Sequence, residues 1–176
     1  MQSFSKFDHI IGAINVRIHR FIQLLLNRPD ISIVTTNLFI GGVNKIEILN
    51  KIKINAIVDL RKETYDDYDE LKKYSIDYLR VRIPDHGVPS IEEAKMVLRW
   101  INSNLEKKRR VFIHCNLGRG RAPLIACIYF VKQGKNKLEA VQLIKNIRSY
   151  TYFNSKQLEW IKEYSECVET NKSKTN

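Results

Sequence analysis

Cys115 and Arg121 are the residues of this chain whose types and spacing most directly suggest chemistry. They bound the segment Cys115-Asn-Leu-Gly-Arg-Gly-Arg121, with Val111-Phe-Ile-His114 before it and Ala122-Pro123 after it. An apolar strand that runs through a glycine-spaced loop into a helix makes an anion site. The first N–H groups of a helix have no intrahelical partner, and the helix dipole is positive there. Gly118 and Gly120 tolerate positive φ and allow backbone amides to curl closely around a phosphate. Pro123 suits the first helical turn, where a missing N–H matters little. The thiolate is the nucleophilic form of cysteine, and a helix N-terminus beside a cation favours it. The planar fork of Arg121 can grip two phosphoryl oxygens. Asn116, Leu117, Gly118, Arg119 and Gly120 complete a phosphate-binding loop with Arg121, and Arg119 brings a second cation to its mouth. His114 and Ala122 flank the loop and support it; His114 is not the base for Cys115, since neighbours on a strand point to opposite faces. Two other phosphate loops are excluded by spelling. G-x-G-x-x-G would require Gly at Pro123, and the nucleotide P-loop would require Gly-Lys followed by Ser or Thr.

These residues need a scaffold, and the pattern around them supplies one. Ile31–Val34 and Leu38–Gly41 read as paired strands. Helices are expected over Val43–Lys51, Tyr68–Tyr74, Ile91–Leu105, Arg121–Gln133, Lys137–Ser149 and Asn154 to about Thr170. Between them Ala56–Leu60, Tyr78–Ile83 and Val111–His114 read as strands. Alternation of this kind implies an α/β sheet with helices on its faces.

The chain has 176 residues, the size of one domain, and 44% hydrophobic residues are enough for a core. Thirty Lys and Arg against nineteen Asp and Glu give a net charge of +11, a field that attracts phosphates, acidic proteins, nucleic acid or anionic lipid. Three cysteines without a C-x-x-C pair argue against a disulfide framework and a zinc ribbon, which points to a reducing compartment. From His9 to Leu26 the apolar residues Ile10, Ile14, Ile18, Phe21, Ile22 and Leu25 share one stripe, opposite Arg17, Arg20, Gln23 and Asn27. That helix, within residues 1–30, either packs on its own domain or lies on anionic lipid; its charges exclude a membrane span. The expected catalytic domain is 31–170, followed by a disordered tail at 171–176.

His114-Cys115-x5-Arg121 resembles the signature loop of the cysteine-dependent protein tyrosine and dual-specificity phosphatases. The family places an aspartic general acid about thirty residues upstream, where this chain has Ile83-Pro-Asp-His-Gly-Val-Pro89. The resemblance implies a dual-specificity-phosphatase-like fold with a central, mostly parallel sheet of four or five strands flanked by helices. It further implies that Cys115 forms a phosphocysteine, that Asp85 protonates the leaving oxygen and then activates water, and that no metal or cofactor takes part. Ala122 departs from the family's usual Ser or Thr, whose hydroxyl helps the sulfur leave, so a slow enzyme or a phosphate-binding pseudophosphatase stays open. Arg119 and the segment Ile147-Arg-Ser-Tyr150 with Gln157-Leu158 are similar to the phosphatidylglycerophosphate phosphatase branch, whereas Asn116 departs from its Lys. The partner implied is a phosphorylated protein, with a phospholipid head group as the alternative and nucleic acid disfavoured for want of a stacking motif. The expected location is the cytoplasm, with or without peripheral contact to an anionic membrane.

Overall fold

The computed structural model describes residues 28–173, with side chains as far as Thr170, together with Ile14 and Ile18. The expected N-terminal helix otherwise lies outside the described residues; Ile14 and Ile18 are helical and about half exposed. Five strands form one sheet: β1 (Ile31–Thr35), β2 (Leu38–Gly41), β3 (Ala56–Arg61), β4 (Asp77–Ile83) and β5 (Val111–His114). Their spatial order is β1-β2-β5-β3-β4. Only β1 runs antiparallel to its neighbour; β2, β5, β3 and β4 are mutually parallel. The sheet is therefore the mostly parallel α/β architecture expected.

Alternation along the central strands divides the core in two. Leu38, Ile40, Val58, Leu60 and Ile113 face one side, under α3 (Ile91–Glu106), α4 (Arg121–Lys132), α5 (Lys137–Ile147) and α6 (Ser155–Ser173). Phe39, Ile57 and Phe112 face the other, under α1 (Ile46–Lys51) and α2 (Tyr68–Lys73). Parallel strands buried on both faces read as continuous apolar runs, which is why β3 and β5 are legible from sequence.

Helix starts follow local capping. Asp67 accepts from the N–H groups of Asp69 and Glu70 to open α2. Ser90 with Glu93, and Asn136 with Glu139, form reciprocal capping boxes at α3 and α5. Two helices are shorter by two residues or more than their apolar patterns suggested. The expected helix from Val43 begins only at Ile46, because Val43 N–H donates to the Asn116 carbonyl and Asn44 is spent on Asp30 and Gly42. The helix expected to reach Ser149 stops at Ile147, where Arg148 leaves helical geometry and turns beneath the loop after β5. At the other end α6 runs through Ser173, beyond the expected boundary at residue 170, since Asn171-Lys-Ser contains no helix breaker. Residues 174–176 lie outside the described residues. Among the described residues, no helix is long and apolar enough to cross a membrane.

Candidate active site

Three parallel strands end on the same edge of the sheet, and each delivers one polar side chain there: β3 leads to Glu63, β4 to Asp85 and β5 to Cys115. This is the edge at which parallel α/β sheets bind ligands. Because β5 lies between β2 and β3, Cys115 is enclosed and only 3% exposed. Its N–H donates to the Gly41 carbonyl. The loop continues to Gly120, which precedes α4 and offers no capping side chain to the first-turn amides.

Gly118 has φ 63, and a Cβ there would collide with Gly41, Gly42 and Arg148. The requirement for glycine is thus both conformational and steric. Gly120 differs from expectation: its φ is −122, and its lack of a side chain instead makes room for Gln157, which a Cβ would approach to 3.2 Å. Beneath the loop Arg148 is buried, donating from Nε to the Gly118 carbonyl (2.6 Å) and from Nη2 to both Asp30 oxygens (2.7 and 2.9 Å). Asp30 also accepts from Gly42 N–H and the Tyr150 hydroxyl. Burial and the neighbouring carboxylate keep that hydroxyl protonated well above the usual tyrosine range.

Arg121 is buried at the base of α4. Its Nη1 and Nη2 donate to Glu63 Oε2 and Oε1 at 2.8 and 2.7 Å, and Nη1 also reaches the Ile83 carbonyl at 3.0 Å. Asp85 Oδ1 lies 3.2 Å from Nη2, although the Asp85 side chain is 68% exposed. Burial alone would disfavour the guanidinium cation, but Glu63, Cys115 and Asp85 together outweigh it and hold Arg121 charged. Conversely, the Arg121 hydrogen bonds hold the Glu63 carboxyl below the usual range against its partial burial.

A cavity of about 190 Å³ opens between these elements. Cys115, Asn116, Leu117, Arg119, Gly120 and Arg121 line it from the loop, Asp85 and His86 from the loop after β4, and Tyr152 and Gln157 from the approach to α6 and α6 itself. Gly118 does not line it; its carbonyl faces Arg148. The Arg119 guanidinium carbon lies 5.8 Å from the Tyr152 ring centre, and its Nε donates to the Tyr150 carbonyl.

His114 points to the opposite face, as strand geometry requires. Its ring stacks on Phe112, and Nε2 lies 3.0 Å from Asp66 Oδ2. Asp59, opposite His114 in the β3–β5 register, and Asp66 both accept from Arg61. Burial works against the Asp59 carboxylate, but the Arg61 hydrogen bonds, the neighbouring His114 ring and the Tyr78 hydroxyl prevail and lower its pKa. Asp59, Asp66 and His114 bring potential ligand atoms within 4.8 Å of one another, yet the Arg61 guanidinium bonded to both carboxylates already supplies the positive charge that a metal ion would bring.

The structure therefore brings Cys115, Arg121 and Asp85 into one cavity and leaves His114 and Ala122 as buried supports. Glu63, Asp30, Asn154 and the supporting role of Arg148 were missed. In the sequence, Arg148 and Gln157 stand out only as parts of a resemblance. Nothing local in the sequence marks Glu63, which lies 58 residues before Arg121.

Residues 38–167 match the dual specificity phosphatase catalytic domain, and the chain belongs to that family. It is a protein tyrosine or dual-specificity phosphatase, an enzyme that hydrolyses phosphoric monoesters. Among its relatives is the mouse protein tyrosine phosphatase type IVA 2, 30% identical over 138 residues, covering 75% of this chain and 80% of the relative. Another is the human phosphatidylglycerophosphatase and protein-tyrosine phosphatase 1, 27% identical over 101 residues, covering 56% of this chain and half of that protein. In three dimensions the chain is similar to the crystal structure of Tk-PTP in its active form, with a TM-score of 0.73 and 25% identity over 78% of this chain and 97% of that one.

Proposed function

We propose that the chain dephosphorylates phosphoproteins through a phosphocysteine on Cys115. The observation that carries this reading is the shared cavity: a buried thiol at its floor, a buried arginine beside it and Asp85 Oδ1 3.2 Å from that arginine. The Cys115 thiolate attacks phosphorus, the bond to the leaving oxygen breaks, and Asp85 gives that oxygen its proton. A water then attacks phosphorus, passes a proton to the Asp85 carboxylate, and the S–P bond breaks to regenerate the thiolate. Arg121 and backbone amides of the loop hold the equatorial oxygens throughout. A thiol nucleophile must stay reduced, which suits the cytoplasm. The net charge of +11 supports an acidic, phosphorylated partner.

A second reading has a specific observation behind it. Arg119, which lines the cavity beside Tyr152, is placed to meet a second anionic group, as a phospholipid head group would present. One experiment tests both readings: phosphate release by the purified protein from phosphotyrosine and phosphothreonine peptides, a phosphoinositide and phosphatidylglycerophosphate, with wild type and Arg119→Ala side by side. Preferred turnover of the peptides, with Arg119→Ala affecting peptides and lipids alike, supports the protein substrate. Preferred lipid turnover that Arg119→Ala selectively removes supports the lipid. No release from any of them, with retained phosphate binding, would make the chain a pseudophosphatase.

A further inference from the structure

We infer that Asn154 and Gln157, at the start of α6, are positioning residues for the general acid: their side-chain amides clasp the Asp85 loop and hold it over Arg121. This inference rests on the reading of Asp85 as proton donor given above.

The first turn of α6 carries an ordinary helix cap. Asn154 Oδ1 accepts from the Gln157 N–H at 2.8 Å, and Gln157 Oε1 accepts from the Asn154 N–H at 3.3 Å. This is a reciprocal capping box, and only the side-chain oxygens take part in it. The boxes at α3 and α5 place a glutamate, Glu93 or Glu139, at the third position. In α6 both members are amides, so each retains an NH₂ group that a carboxylate would lack. Those two groups do not point idly to water. Asn154 Nδ2 donates to the His86 carbonyl at 2.9 Å, and Gln157 Nε2 donates to the Gly87 carbonyl at 3.2 Å.

The accepted carbonyls are consecutive and directly follow Asp85. His86 adopts φ 57, a left-handed conformation uncommon for a residue with a Cβ, while Gly87 N–H closes a tight turn onto the Pro84 carbonyl at 2.9 Å. The His86 side chain itself is 69% exposed, so the backbone carbonyl is its link to α6. Gln157 is 2% exposed, and a buried amide hydrogen bond is one whose loss leaves an unsatisfied carbonyl. The clasp thus holds from one side the turn whose other side presents Asp85 to Arg121. An exposed acid gains a fixed position from amides bonded to the backbone beside it.

The test exploits the double use of each amide. Asn154→Ser and Gln157→Glu retain oxygens that cap a helix but remove the donors that reach the loop. The double variant N154S/Q157E, which sets a buried carboxylate against the Gly87 carbonyl, should melt below wild type yet remain folded at the assay temperature. Its turnover of a phosphotyrosine peptide should fall at least about tenfold more than its turnover of p-nitrophenyl phosphate, whose leaving group needs less proton donation. Asp85→Asn, measured in parallel, should show the same leaving-group dependence more steeply. Adding N154S/Q157E to Asp85→Asn should lower peptide turnover by no more than about twofold further, because both act on one step. If Asp85→Asn shows the dependence but the clasp variants lose both substrates equally, the clasp is overturned and the acid assignment stands. If Asp85→Asn shows no dependence, the acid assignment falls and takes the clasp with it. Should the double variant fail to fold, Asn154→Ser alone carries the test through the same ratio of substrates.

Discussion

The two loops that meet in the cavity are built in opposite ways. The loop after β5 is enclosed: Cys115 and Arg121 are buried, and Arg148 with Asp30 braces it from below through a side chain that is 1% exposed. The loop after β4 carries Asp85 and His86 with side chains that are 68% and 69% exposed, and the capping amides of α6 secure its far side. The difference follows from the tasks proposed for them. A nucleophile and a phosphate cradle must hold one geometry while charge moves between oxygen and sulfur, and buried, fully bonded groups do that. A proton donor must meet leaving groups of different shapes and then admit water, which a solvent-facing loop allows.

The largest effect that would sharpen this contrast is chemical. Asp85→Asn should lower turnover of phosphotyrosine or alkyl phosphates by ~10²–10⁴ while leaving Tm almost unchanged, as steady-state rates and thermal melts will show. An equally large loss of stability would erase the distinction between the loops.

Arg148→Met should do the reverse. Removing one partner of a buried ion pair leaves Asp30 uncompensated and should cost about 3–5 kcal/mol, read as a urea midpoint shift. A variant as stable as wild type would show that the loop does not depend on its brace.

Ala122 tests whether the buried loop limits turnover. Its side chain is fully buried at the start of α4, so Ala122→Ser adds a hydroxyl that can donate to the departing sulfur. Hydrogen bonds to charged groups contribute ~1.5–3 kcal/mol, so about a tenfold rise in breakdown of the phosphoenzyme is expected. Rapid-quench kinetics should show a leaving-group burst in wild type that shrinks in the variant. Unchanged turnover would assign Ala122 to packing alone.

The smallest effect concerns Glu63, which joins the β3 end to the buried loop. Its carboxyl is held below the usual value of 4.5 by Arg121, so its ionised form stabilises the fold above that pH, and the contribution is lost as pH falls through the folded value. Glu63→Gln should therefore lower Tm slightly at pH 7, by no more than about 2–4 °C, and the gap should close as the pH drops below 4.5. A gap that persists or widens in acid would show that Glu63 acts by shape rather than charge.

Cys127 is buried on α4, with its thiol pushed up to about 12 by burial, which fits a core residue. Lys107–Arg110 forms a turn between α3 and β5 in which Arg109 pairs with Asp77 and Arg110 lies over Phe39. Errors gathered at helix ends. The apolar periodicity of Val43–Lys51 and Lys137–Ser149 carries no sign that Asn44 and Arg148 are drawn away toward Asp30.

By itself, the sequence determined the central strands and the loop from Cys115 to Arg121, because each depends on residues close together in the chain; Asp85 was singled out only through the family resemblance. Hydrophobic runs identify strands, and a loop's chemistry is written in its own spacing. Tertiary structure alone decided what holds those parts. Glu63 meets Arg121, Arg148 meets Asp30, and Asn154 and Gln157 meet His86 and Gly87 across separations of 58, 118, 68 and 70 residues. Such pairs leave no periodicity in either partner. They arise because parallel strands bring their C-terminal ends to one edge, and the helices that cover the sheet return distant side chains to it.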